Sequence, residues 1–191
     1  LLPTGQIAQP DEDNRVVAES WPSYGEDAGD ATCLQLSHRG AILYVGHASG
    51  RLQALNFAEQ RTDFELRLPY SIKRIELASQ SRNLVVSMEH GFVIVDRHGG
   101  ILCQGDGTVE VDYQRNRCLV FHQGHLELFD LRPFRRLRVW SQVINGPRDL
   151  VLGLDGRRAA SLDEGGCIDI WEVDEDSRVF ERSFLLSPGR S

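Results

Sequence analysis

The sequence predicts an all-β fold of about four repeated units, each a four-stranded antiparallel sheet. Three observations carry this. Short apolar segments alternate with a period of two, as strands do when their two faces differ. Glycines recur at the second turn of each group of segments, Gly50, Gly91, Gly124 and Gly166, at intervals of 41, 33 and 42 residues. Four strands with their turns occupy about forty residues. No stretch sustains a capped 3.6-residue periodicity, so no helix is expected.

Residues 1–30 hold few large apolar side chains and carry Asp11-Glu12-Asp13-Asn14, Glu26-Asp27 and Asp30. That composition predicts a flexible acidic lead-in, with 15–21 as one short strand inside it. The first unit, 31–68, runs from Cys33-Leu34-Gln35-Leu36 through a turn at Gly40 to a strand over 42–46. After Gly50 come the alternation Leu52, Ala54, Leu55, Phe57 and an outer strand over 63–68. The second unit, 69–106, reads Ile75-Glu76-Leu77-Ala78, a polar turn near Ser81, a strand over 84–87, Gly91, Phe92-Val93-Ile94-Val95 and an outer strand over 101–104.

The third unit, 107–140, begins Val109-Glu110-Val111-Asp112-Tyr113 and turns near Arg115-Asn116. It continues with Cys118-Leu119-Val120-Phe121, Gly124, the strand to Leu131 and an outer strand over 136–140. The fourth, 141–187, has Leu150, Leu152 and Leu154, a turn at Asp155-Gly156, and Ala159-Ala160-Ser161-Leu162. Then follow Gly165-Gly166, the alternation Ile168, Ile170, Trp171 and an outer strand over 178–185. Gly40, Gly50, Gly91, Gly124, Gly156 and Gly166 are read as structural, because glycine adopts positive φ without steric cost. Trp171 joins Leu55 and Phe129 as the large residue after a second turn, suited to packing between units.

The phrases Gly124-His125-Leu126-Glu127-Leu128-Phe129-Asp130-Leu131 and Gly166-Cys167-Ile168-Asp169-Ile170-Trp171-Glu172-Val173 resemble the closing phrase of a WD40 repeat. Asp130 and Glu172 stand where its final acid belongs. The resemblance covers 31–185 and implies a β-propeller with the four units as blades. The repeats are degenerate. Where the family often places an Asp that bonds with Ser, His and Trp, this chain has Ser49, His90, Gln123 and Gly165. The family usually closes with about seven blades, so four implies part of a larger propeller.

For function, the resemblance implies a non-catalytic protein–protein interaction scaffold within a larger multiprotein assembly. Its contact face would lie on the loops between blades and the inner hairpin turns: His47, Tyr70, Lys73, His90, His122, Trp140 and Arg148. Partners would be other proteins, the rest of the propeller among them, with no cofactor and no metal. The alternative is a ligand-binding or hydrolytic propeller with a polar site on its axis.

Several chemistries are disfavoured directly. A net charge of −7 argues against nucleic acid. The cations are Arg apart from Lys73, the single lysine. No run approaches the eighteen or so apolar residues of a membrane helix, and Leu1-Leu2-Pro3 opens without a signal-peptide pattern. Cys33, Cys103, Cys118 and Cys167 are widely spaced, which fits reduced thiols and a cytoplasmic, or nuclear, location. His122-Gln123-Gly124-His125 lies near Cys118 without a second ligand pair, so these read as turn histidines. His47, His90 and His122 read as equivalent positions on one rim, sensitive to pH. Arg132, Arg135, Arg136 and Arg138, interleaved with Phe134 and Trp140, read as a charged sheet edge, with a docking patch for an acidic partner as the second reading. Gly99-Gly100 and Gly105-Asp106-Gly107 follow strands but open no helix, so no nucleotide loop is expected.

Overall fold

The computed structural model describes residues 6–10, 16–20, 30–78, 82–140, 147–153, 156–173 and 180–185. Two strands come first, β1 (Gln6–Pro10) and β2 (Val16–Ser20), paired as an antiparallel hairpin. The strand expected over 15–21 is therefore half of a pair. Four antiparallel sheets follow, each a plain meander. The first is β3 (Ala31–Leu36), β4 (Ile42–His47), β5 (Arg51–Asn56) and β6 (Arg61–Arg67). The second is β7 (Ile72–Leu77), β8 (Leu84–Met88), β9 (Phe92–Val95) and β10 (Ile101–Gly105). The third is β11 (Thr108–Asp112), β12 (Arg117–His122), β13 (His125–Leu131) and β14 (Phe134–Trp140). The fourth is β15 (Pro147–Leu152), β16 (Arg158–Asp163), β17 (Cys167–Glu172) and β18 (Phe180–Leu185). These are four propeller blades. The turn residues Ser81 and Asp155 fall outside the described residues, as does Leu154.

Strand pleat explains how the blades stack. Successive side chains point to opposite faces. In β8, Leu84 and Val86 face the first blade and Val85 faces the third. In β9, Val93 and Val95 face the first, Phe92 and Ile94 the third. In β12, Cys118 and Val120 face the second blade, while Leu119 and Phe121 face the fourth. Sheets covered on both faces need continuous apolar runs, and Leu84-Val85-Val86 and Phe92-Val93-Ile94-Val95 are nearly fully buried. Trp171 and Phe129 both pack at blade junctions.

The two end blades differ. Ile75 and Leu77 of β7 are 4% and 5% exposed, because the first blade covers them. Their counterparts in β3, Leu34 and Leu36, pair with Val45 and Leu43 in the same register and are each 51% exposed. On the last blade Val151 is also 51% exposed. Among the described residues no extensive packing joins the first sheet to the fourth, as in part of a larger propeller.

The turns use positive-φ backbone. Gln123 and Gly124 have φ of 51° and 79°, both positive, as a two-residue type I′ hairpin requires. Gly50 and Gly91 are needed twice over. Each has positive φ, and a Cβ would lie 2.3 Å from the Leu68 carbonyl oxygen at Gly50 and 2.1 Å from that of Gly105 at Gly91.

Candidate functional site

Three inner strands share one irregularity near their first residues. The register of β3 on β4 shifts between Ala31 and Cys33, that of β7 on β8 between Ile72 and Arg74, and that of β15 on β16 between Pro147 and Asp149. The extra residues are Thr32, Lys73 and Arg148. A bulge re-aims the side chain it carries, and here it does so at the same place in three blades. Thr32 uses the bulge to tie blades together, its hydroxyl donating to the Ile72 carbonyl at 2.5 Å. Lys73 and Arg148 form no ion pair or hydrogen bond among the described residues.

Both cations line an open groove of about 810 Å³ beside the inner strands of the second, third and fourth blades. Its wall on β7, β8 and the turn after β8 includes Arg74, Ser87, Glu89 and His90; Asp106 joins from the link into the third blade, which contributes Gly107, Thr108 and Glu110; the fourth adds Asp149, Val151 and Glu164. The chain hugs itself at Gly107, where a Cβ would sit 1.7 Å from the Phe121 carbonyl oxygen. The Thr108 hydroxyl is buried and has no hydrogen-bond partner.

Some of the charge is already matched. Arg74 pairs with Glu76 at 2.9 Å and with Glu110 at 3.2 Å, bridging the second and third blades. Tyr113 donates its hydroxyl to Glu76 from the third blade. Burial pushes the Glu76 carboxyl above its ordinary range, although the Tyr113 bond and Arg74 oppose the rise. Burial also raises the Tyr113 hydroxyl, and the facing Glu76 adds to it. The Asp149 carboxylate accepts from the Leu150 amide at 2.9 Å.

Of the residues expected on a contact face, Lys73, His90 and Arg148 line this groove. Tyr70 stands next to it, its ring edge-on to His90 at 5.2 Å. His122 lies 4.0 Å from Asp106 and its Nδ1 is buried without a hydrogen-bond partner. Two residues lie elsewhere. His47 is 3% exposed and bonds Gln53 at 3.1 Å, and burial lowers its pKa. Trp140 sits on the outer strand β14, under the Arg138 guanidinium at 4.9 Å and against the junction of blades three and four. The expected histidine rim does not form. His47 and His122 end β4 and β12 in equivalent register, but that position in the second blade is Met88, and His90 falls in the turn beyond it.

The basic segment of β14 is an ion-paired edge: Arg135 lies 3.6 Å from Asp130 and Arg136 lies 3.6 Å from Glu127. Ser161 accepts a buried hydrogen bond of 3.0 Å from the Trp171 indole. Sequence reading placed Trp171 at a junction and did not foresee this bond. It also missed Thr108 and Glu89, whose only signal was their position beside a turn. Among the described residues no three His, Cys, Asp or Glu side chains converge as a metal site.

No protein-family model matches the chain, and no curated protein matches its sequence. Solved structures do. Hsv2 of Kluyveromyces lactis with its loop 6CD replaced by a Gly-Ser linker aligns with a TM-score of 0.61 at 16% identity, over 92% of this chain and 57% of that one. Hsv2 of Kluyveromyces marxianus aligns with a TM-score of 0.59 at 11% identity, over 92% and 56%. Hsv2 of K. lactis gives 0.56 at 16%, over 90% and 54%. The likeness is one of fold, a β-propeller. The chain spans a little over half the length of these propellers.

Proposed function

We propose that this chain is part of a non-catalytic, WD-repeat-like scaffold that holds a partner protein across the axial groove, within a larger assembly. One observation carries the reading: a single open groove gathers polar side chains and backbone from three blades. Its two hydroxyls, Ser87 and Thr108, hydrogen-bond no histidine or carboxylate among the described residues, so nothing there activates a hydroxyl nucleophile. Tyr70 and Arg148 are the residue types that anchor interfaces best. Four widely spaced cysteines with no CxxC pair fit a cytoplasmic or nuclear setting.

Site-specific cross-linking tests this. A photoreactive residue replacing His90, exposed on the groove wall, should capture a discrete partner from native extract. The same residue at exposed Ile101, on the outer strand β10, should not. Equal capture from both positions, or turnover of a small-molecule ester or glycoside abolished by Thr108→Ala, would refute the scaffold reading.

A further inference from the structure

We propose that the axial groove recognises one carboxylate side chain of the partner, held between Lys73 and Arg148, with basic residues flanking it. This rests on the groove being the partner-binding surface.

The cations are placed and unspent. Lys73 and Arg148 occupy equivalent bulges in the second and fourth blades, on either side of the third. The third cation of the lining, Arg74, is held by Glu76 and Glu110. That leaves two cations and the unpartnered Thr108 hydroxyl in one concavity. A carboxylate is a pure acceptor with two oxygens, which matches an ammonium, a guanidinium and a hydroxyl donor. Thr32 gives the internal contrast: at the same bulge in the first blade a neutral side chain is used for an inter-blade bond.

The surroundings choose the anion. The lining holds three cations, Lys73, Arg74 and Arg148, against five carboxylates, Glu89, Asp106, Glu110, Asp149 and Glu164. A groove with that excess of acid repels a phosphate dianion more strongly than a single carboxylate. Glu89 and Glu164 sit on the second turns of their blades, and their carboxylates have no ion pair or hydrogen bond among the described residues. They favour basic neighbours on either side of the inserted acid, so the motif is basic–acidic–basic.

Because Lys73 is the only lysine, reductive methylation with 13C-formaldehyde places one lysine signal in the groove and keeps its charge. The probes are three capped peptides of the form Gly-Arg-Gly-X-Gly-Arg-Gly, with X as Glu, Gln or phosphoserine. The Glu peptide should shift the Lys73 methyl signal saturably. The Gln peptide should bind about tenfold more weakly or worse, the worth of one charge-assisted hydrogen bond. Arg148→Met should weaken the Glu peptide by a similar factor, and Arg148→Lys should restore most of it. Equal affinity for Glu and Gln, tighter binding of phosphoserine, or no shift with any peptide overturns the proposal. The His90 cross-linking result is read separately, so partner capture without carboxylate preference rejects this inference and leaves the scaffold reading intact.

Discussion

Ser161→Ala should destabilise the chain well beyond the loss of one hydroxyl. Trp171 is 3% exposed and donates its indole N–H to Ser161 at 3.0 Å inside the core shared by blades three and four. Removing the acceptor strands a buried donor, at about 1–3 kcal/mol. For a chain of 191 residues, each kcal/mol lowers Tm by about 2–4 °C. Trp171→Phe removes the donor and part of the ring, at about 2–4 kcal/mol. The two losses must overlap, because the second substitution no longer strands anything. Urea titrations of both single variants and the double variant, followed by far-UV circular dichroism, should give a coupling of about 1 kcal/mol or more. Additive losses, with coupling under about 0.3 kcal/mol, would refute the claim that this bond stabilises the junction.

Other expectations follow from the same geometry. Gly91→Ala should cost more than Gly124→Ala. Both lose about 1–2 kcal/mol from positive φ, but only Gly91 meets backbone, the Gly105 carbonyl at 2.1 Å, while Gly124 faces open space; chemical denaturation ranks them. Burial holds the folded-state pKa of His47 below 6.5, so stability is complete above that pH and falls as pH drops through it. The Tm of His47→Gln should lose that dependence, and an unchanged slope would move its origin elsewhere. Leu34→Lys with Leu36→Lys should leave the melt unchanged and reduce self-association in light scattering, since both are half exposed; Leu77→Lys, 5% exposed, should unfold the second blade.

The blades were readable because local chemistry sets them. Glycines at turns with positive φ and period-two apolar strands are fixed by residues a few positions apart. Gly91 at φ 86° and the run from Phe92 to Val95 show both. The groove was only partly readable. Lys73, His90 and Arg148 could be placed beside turns, but a one-residue register shift is decided by the neighbouring strand. No local pattern around Lys73 announces that Ile72 and Arg74 pair with adjacent residues of β8. His47 looked like a turn histidine because its partner, Gln53, lies across the hairpin and covers it. β1 escaped notice because its sequence, Gln-Ile-Ala-Gln-Pro, lacks a run of branched or aromatic residues.

The two-sided middle blades have a consequence for how the molecule opens. A sheet whose strands each grip both neighbours with alternate residues cannot loosen alone, so the array should come apart from its ends inward. Amide hydrogens of β8, β9 and β12 should exchange only through the largest opening, while those of the first and last blades exchange through smaller ones. Covering either end should then slow exchange progressively toward the middle, as adding a book to a shelf steadies the row.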